Sequence, residues 1–390
     1  MNSVTIRGRL PSLLHTLTDQ VLSPDPPRRD LAERRYLDLA KYLQEHMGAA
    51  LDCKVWVYPQ GSYRLGTTLV NPVTDEFDVD IVVAYDRSRT QMTKQEVVQQ
   101  MHGWLVSYCQ HGHGGGDLEP SGYDGSKRRA FVIDYPDAFH MDVIAVVLEK
   151  PEPSRVLGQA SWLPDRSMHH WQPTNPRGFA EYFDAISKAQ RMELAEAASV
   201  DVDELPRIGV KTSLQSAVML CKRHRDVMYA DEAGDLAPHS SLITAMATAA
   251  YYTSGVLEPT VHDVIAGLAD QIQFHEGILW VPNPTWTDGG VELENYADRY
   301  RGRDDKVAEL RRWVAAVEQD LSAYDGADDL RARANVINKA FGEGLGERAA
   351  ERHAQLTARL GSSRGFNASA AGLSVGAANY PRPTFHGDGR

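Results

Sequence analysis

Apolar and polar positions along the chain change their period several times, and each change predicts an element. In DLAERRYLDLAKYLQEHM, Leu31, Tyr36, Leu39 and Leu43 recur at helical spacing, and Asp30 with Glu33 has the spacing of a capping box. CKVWVYP then alternates with a period of two, as a strand does. The pair Gly61-Ser62 and a Pro-containing connection lead to FDVDIVVAY, a second alternating strand from Phe77. A helix is predicted over 94–108. HGHGGGDLEPSGYDGSK, over 111–127, is a loop by composition. AFVIDY and FHMDVIAVVLE read as two more strands, split at Pro136-Asp137.

Past Pro151 the pattern lengthens to that of helices. A Pro-rich irregular stretch (Pro151, Pro153, Pro164, Pro173, Pro176) precedes a helix from about Gly178. Helical spacing predicts further helices near 210–229, 240–253, 261–275, 304–323, 328–341 and 344–360. From Gly361 the chain is rich in Gly, Ser, Ala and Asn and shows neither period. The expected architecture is α+β. Residues 1–150 form a sheet-bearing lobe with an N-terminal helix, 151–360 a mainly helical lobe, and 361–390 a flexible tail.

Composition narrows the function classes. The 390 residues, 42% apolar and 24% charged, suit a soluble two-lobed protein. No apolar run approaches the roughly 20 residues of a membrane span. The N-terminus lacks the apolar core of a signal peptide. Cys53, Cys109 and Cys221 are odd in number and far apart, which argues for a reducing, cytoplasmic setting without disulfides or zinc. Lys and Arg number 41 against 53 Asp and Glu, a net charge of −12. That excludes a broad nucleic-acid surface but leaves room for a small basic pocket around one phosphate chain.

The candidate chemistry sits in the strands. Residues two apart on a strand share a face, so Asp78 and Asp80 point away from Phe77, Val79, Ile81 and Val83. In the later strand Asp142 shares its face with His140, Ile144 and Val146. Were the two strands neighbours, three carboxylates would converge and raise one another's pKa unless a cation lay between them. Hard oxygen ligands of this kind suit Mg2+ with substrate phosphates. A pair of such ions about 3.5–4 Å apart activates an attacking hydroxyl and stabilises a leaving phosphate. The alternative is that Asp78 and Asp80 simply face water on a half-exposed sheet. Gly61-Ser62 offers close backbone approach and a hydroxyl to a phosphate, though most such pairs are plain turns. Lys211, Gln215 and Lys222 fall at offsets of four and seven, on one face of a helix. Ser240 stands near a helix start, where it serves either as an N-cap or as a phosphate ligand. Lys127, Arg128 and Arg129, the His169-His170-Trp171 segment, and His111 with His113 are weaker candidates for nucleotide, base or metal contacts.

Gly61-Ser62, then Asp78-x-Asp80, then Asp142 resembles the DNA polymerase β-type nucleotidyltransferase superfamily. QGSYRLGT, TDEFDVDIVV, NPRGFAEYF, LQSAVMLCKRHRD and PHSSLITAMA resemble the bacterial cGAS/DncV-like branch, the CD-NTases of CBASS antiphage systems. The resemblance implies a sheet lobe and a helical lobe with the active site in the cleft between them. It implies synthesis of a cyclic di- or trinucleotide from NTPs (ATP, GTP or others), with pyrophosphate released and the product activating an effector. Asp78, Asp80 and Asp142 would hold two Mg2+ ions, with Mn2+ as the substitute. Gly61, Ser62, Lys222 and Ser240 would bind the triphosphate, and Lys211, on the helix face of Lys222, is a further nucleotide-binding candidate. Regulatory or conjugating partner proteins are also implied, the latter acting on the C-terminus in some relatives. Other readings are a tRNA- or protein-modifying transferase on the same site, and a catalytically idle nucleotide sensor.

Overall fold

The strand FDVDIVVAY forms as the alternation predicts, and the sheet is built around it. The computed structural model describes residues 12–72, 74, 76–111, 130–135, 139–148, 160–164, 170–198, 211–231, 235–255, 259–285 and 294–366. His113, Lys127, Arg128, Arg129, His169 and the tail from 367 lie outside the described residues, as does most of the loop over 111–127. Among the described residues the sheet has six strands and runs β1 (Val55–Gln60), β2 (Phe77–Tyr85), β4 (Phe139–Leu148), β5 (Ser161–Pro164) and β6 (Trp171–Thr174), with β3 (Phe131–Tyr135) also paired to β4. β2 and β4 are parallel, and the other pairs are antiparallel.

The back of the sheet buries Val79, Ile81, Val83, Met141, Val143 and Ala145 against α2 (Pro26–Tyr42), which leads on to the short α3 (Gly48–Leu51), and against α5 (Lys94–Gln110). α2 begins at Asp25, whose carboxylate caps Arg28 N, rather than at Asp30. Pro26 fits the first helical position because its missing N–H is unpaired there anyway, so Asp30 and Glu33 lie inside the helix. On the front face Val82, Ala84, Ile144, Val146, Leu148 and Leu163 form a small separate core. The acidic positions of β2 precede it.

The sheet runs past residue 150 to Thr174, through the stretch whose prolines pointed to irregular chain. Pro164 closes β5, and Pro173 lies on β6 at the sheet's edge, where a missing N–H is tolerated. The helical lobe then follows: α6 (Pro176–Ile186), α7 (Lys188–Ala198), α8 (Ser213–Met228), α9 (Ser240–Thr253), α10 (Val261–Ala266), α11 (Asp304–Asp325), α12 (Leu330–Phe341) and α13 (Leu345–Phe366). The helix expected over 261–275 stops at Ala266. A hairpin, Phe274–His275 with Ile278–Leu279, replaces its end and turns at Glu276 and Gly277, both at positive φ. A short helix missed in the sequence, α1 (Leu13–Thr16), continues as a wider turn over Leu17–Val21 and sends Leu13, Leu14 and Leu17 into the helical core beside Leu214, Val218 and Trp313. Among the described residues no helix is long and apolar enough to cross a membrane.

α12 and α13 meet with no room between them. A Cβ on Gly346 would stand 2.0 Å from the Ala334 carbonyl oxygen, a backbone atom that cannot swing aside. Gly346→Ala should therefore cost about 1–3 kcal/mol of stability by forcing the helices apart. Thermal unfolding should show a lowered Tm, while fold and specific activity at low temperature stay those of the parent.

Candidate active site

Pairing of β2 with β4 decides which polar side chains meet. Asp80 lies opposite Asp142, and Asp78 opposite His140. β3 adds Asp134 opposite His140 and Val132 opposite Asp142. Paired residues project to one face, so two rows cross the front of the sheet: Asp78, His140, Asp134 and then Asp80, Asp142, Val132. The His140 ring is fixed, with Nδ1 2.6 Å from Asp134 Oδ1 and Nε2 3.9 Å from Glu76 Oε2. Asp78 is exposed, and Asp80 and Asp142 are half-buried. Among the described residues no three His, Cys, Asp or Glu side chains make a finished metal cage. Carboxylates on adjacent rigid strands are still the donors that Mg2+ and Mn2+ take when substrate phosphates complete the shell.

The end of β1 turns directly over Asp80. Gly61 adopts φ +57°, and a Cβ there would fall 2.2 Å from Asp80 Oδ2. Only glycine allows both the left-handed conformation and that approach. α4 (Gly61–Leu65) follows and holds Ser62 at the cleft wall. The corner is pinned from the helical lobe. Gln215 Nε2 donates to the Leu65 carbonyl at 2.8 Å, and Arg64 meets Asp184 at 2.8 Å, an acid that Arg191 also approaches at 3.3 Å.

α8 supplies the facing wall. Lys222 is buried, with Nζ 3.4 Å from Thr67 Oγ1. Burial lowers its pKa to about 8, opposed by the nearby Asp80 and, more weakly, Asp78. One turn on, Asp226 accepts from Arg225 Nε at 2.6 Å. The other arms of that guanidinium donate to the Pro238 carbonyl at 2.6 Å and to Ser240 Oγ at 3.1 Å. Arg225 thereby clamps the start of α9 to α8. Ser240 is the first residue of α9 and His239 occupies the N-cap position without a side-chain cap hydrogen bond, so Ser240 does not cap the helix.

Together these walls enclose a cleft of about 1840 Å3 lined by Gly61, Ser62, Asp78, Asp80, His140, Lys222 and Ser240, among others. Asp142 lies opposite Asp80 on β4 but is not among the described residues that line the cleft. Lys211 is not brought to the cleft. It precedes the helix, whose N-cap is Thr212, so the three-residue face inferred from spacing does not form. Lys211 is buried beside Asp19, with its pKa lowered by burial and that of Asp19 raised for the same reason. Gln215 completes the capping box instead. His140, Arg225 and Asp226 had no role from sequence. Alternation already set His140 on the face of Asp142, but only the β3 pairing shows its partner Asp134.

Residues 10–186 match the family of Second Messenger Oligonucleotide or Dinucleotide Synthetase domains. The c-di-GMP synthase of Roseivirga ehrenbergii is 23% identical over 353 residues, spanning 83% of this chain and 87% of that protein. The fold matches the solved structure of the Bradyrhizobium diazoefficiens CD-NTase CdnG in complex with GTP, with a TM-score of 0.66 at 21% identity over 89% of this chain and 98% of the other. It also matches Vibrio cholerae DncV bound to the linear intermediate pppA(3′,5′)pG, with a TM-score of 0.54 at 14% identity over 85% and 96% of the two chains.

Three outcomes follow from this geometry. Gly61→Ala must push Asp80 aside, so nucleotide turnover should fall about 100-fold or more while circular dichroism is unchanged. Lys222 acts on phosphate only as the ammonium, so nucleotide affinity should weaken as pH rises through about 8. Calorimetry should show this step in the parent and its absence in Lys222→Met. The unfolded chain keeps the usual lysine pKa of 10.5 and binds the extra proton between about 8 and 10.5. Parent stability should therefore rise with pH across that window, an increment that Lys222→Met lacks.

Proposed function

The chain is a cGAS/DncV-like nucleotidyltransferase, a CD-NTase, and from this premise we propose that it makes a cyclic dinucleotide from NTPs, with GTP among its substrates. The observation that carries the reading is the placement of Asp80 between Asp142 on the next strand and the buried Lys222 across the cleft. The guanine choice rests on the relatives, one named for c-di-GMP and one solved with GTP.

Ser62, Lys222 and Ser240 receive the donor triphosphate, the ammonium answering its charge in a low-dielectric wall. Lys211 takes no part, since Asp19 occupies it. Asp78, Asp80 and Asp142 would hold Mg2+ or Mn2+, which when bound would neutralise phosphate charge and ease ionisation of the attacking hydroxyl. The acceptor nucleotide places a ribose hydroxyl beside Asp142, which receives its proton. The hydroxyl oxygen forms a bond to the donor α-phosphorus. The bond from that phosphorus to the bridging oxygen breaks, and pyrophosphate leaves with the electron pair. A second transfer closes the ring. A volume of about 1840 Å3 exceeds the roughly 300–1,000 Å3 of a drug-sized pocket and accommodates two nucleotides together. The product is a second messenger for an effector of antiphage defence, made in the cytoplasm where NTPs are available.

The purified protein incubated with Mg2+ and the four NTPs should release pyrophosphate. Mass spectrometry should find a guanosine-containing cyclic dinucleotide, and Asp142→Ala should lower the rate at least about 100-fold with NTP binding retained. A requirement for RNA or a protein acceptor, or binding without pyrophosphate release, sinks the reading.

A further inference from the structure

The His140–Asp134 pair is a built feature of the cleft that the transfer chemistry leaves unused. His140 Nδ1 lies 2.6 Å from Asp134 Oδ1, and a carboxylate oxygen accepts, so the ring nitrogen is the donor of this pair. This fixes the ring plane and turns Nε2 toward the space beside Glu76. The histidine lines the cleft with its side chain 32% exposed. An imidazole with one nitrogen anchored and the other presented to a cleft is arranged to meet a polar group.

Its place in the sheet says which group. Gly61 and Lys222 approach Asp80 from the end of β1 and from α8, which makes that flank the donor triphosphate side. β4 and β3 lie on the other flank of β2. A nucleotide whose attacking hydroxyl reaches Asp142 must therefore lie over β4. His140 shares that face two residues away, about 6.6 Å along the strand. The hydroxyl vicinal to the attacking one lies within that span.

We propose that His140, oriented by Asp134, hydrogen-bonds the ribose hydroxyl adjacent to the attacking one, and so makes the acceptor site selective for ribonucleotides over deoxynucleotides. This rests on the reaction proposed above. A hydroxyl both donates and accepts, so the contact does not depend on the ring's charge. His140 is a specificity-determining residue here, and Asp134 a positioning residue that acts through it.

The test compares GTP with whichever of 2′-deoxy-GTP and 3′-deoxy-GTP still forms a phosphodiester bond, since that analogue lacks only the vicinal hydroxyl. Two readouts are taken, the ratio of kcat/KM and the ratio of equilibrium affinities, the second requiring no turnover. The parent should prefer GTP. His140→Ala should cut the preference about tenfold, the worth of one hydrogen bond. His140→Gln, which keeps a hydrogen-bonding amide, should restore part of it, and Asp134→Asn should give an intermediate loss. Equal losses for GTP and the analogue, leaving both ratios at the parent value, would show that His140 only braces the strand and would overturn the proposal. A parent that makes no cyclic product but keeps a His140-dependent affinity ratio indicts the reaction and leaves the sugar contact standing.

Discussion

A buried ammonium must have a negative partner, and the cleft is organised around that requirement. Lys222 lies within the core of α8, where burial alone disfavours its charge. The shift from 10.5 to about 8 corresponds to roughly 3 kcal/mol, a large share of a domain's net stability. It is what remains after Asp80 across the cleft, with Asp78 behind, has offset part of the effect of burial. The carboxylates gain in turn, since close acids on one sheet face repel. Each lobe thus carries a charge that is poorly placed alone and tolerable beside the other. A polyanion bound with its cations would satisfy both sets at once, and substrate binding completes a balance that folding leaves open.

Such a balance works only if the two walls are held at a fixed separation. The corner after β1 does this with few atoms. Gly61 brings backbone onto Asp80, Gln215 ties the Leu65 carbonyl to the start of α8, and Thr67 meets Lys222. Arg64 and Arg191 share Asp184, which ties the corner to α6. The N-terminal turn adds Thr18 against Ser216 at 3.0 Å, in the buried interior. These are short, mostly buried polar contacts, expensive to break because each leaves a group unpaired. They join the corner after β1 to the helical lobe through directional contacts in addition to apolar packing.

The front of the sheet divides its length between chemistry and core. Along β2, Asp78 and Asp80 occupy the exposed end, while Val82 and Ala84 pack into a small core with Ile144 and Val146. The polar end is ordered by its own hydrogen bonds, the Asp134–His140 pair above all, instead of by packing. The net charge of −12 is not spread evenly, since Arg89, Lys94, Lys222, Arg223, Arg225, Arg299 and Arg301 all line the cleft, Lys222 buried and Arg225 spent on clamping the start of α9.

What could be read from residues alone follows from periodicity. Alternation placed Asp78 and Asp80 on one face and Asp142 with His140 on another strand's face, because side-chain direction in a strand is fixed by parity. The same rule located β1 to β4 and most helices. It failed where geometry is set by distant partners. β5 and β6 form in Pro-rich chain because an existing edge offered them hydrogen bonds. Lys211 shares helical spacing with Lys222 but lies before the cap at Thr212, and Asp19, far away in sequence, claims it. Which strands are neighbours, and therefore that Asp80 meets Asp142 and that His140 lies between Asp78 and Asp134, was decided by tertiary pairing. Parity tells a side chain which way to point, but only the fold tells it what it will face.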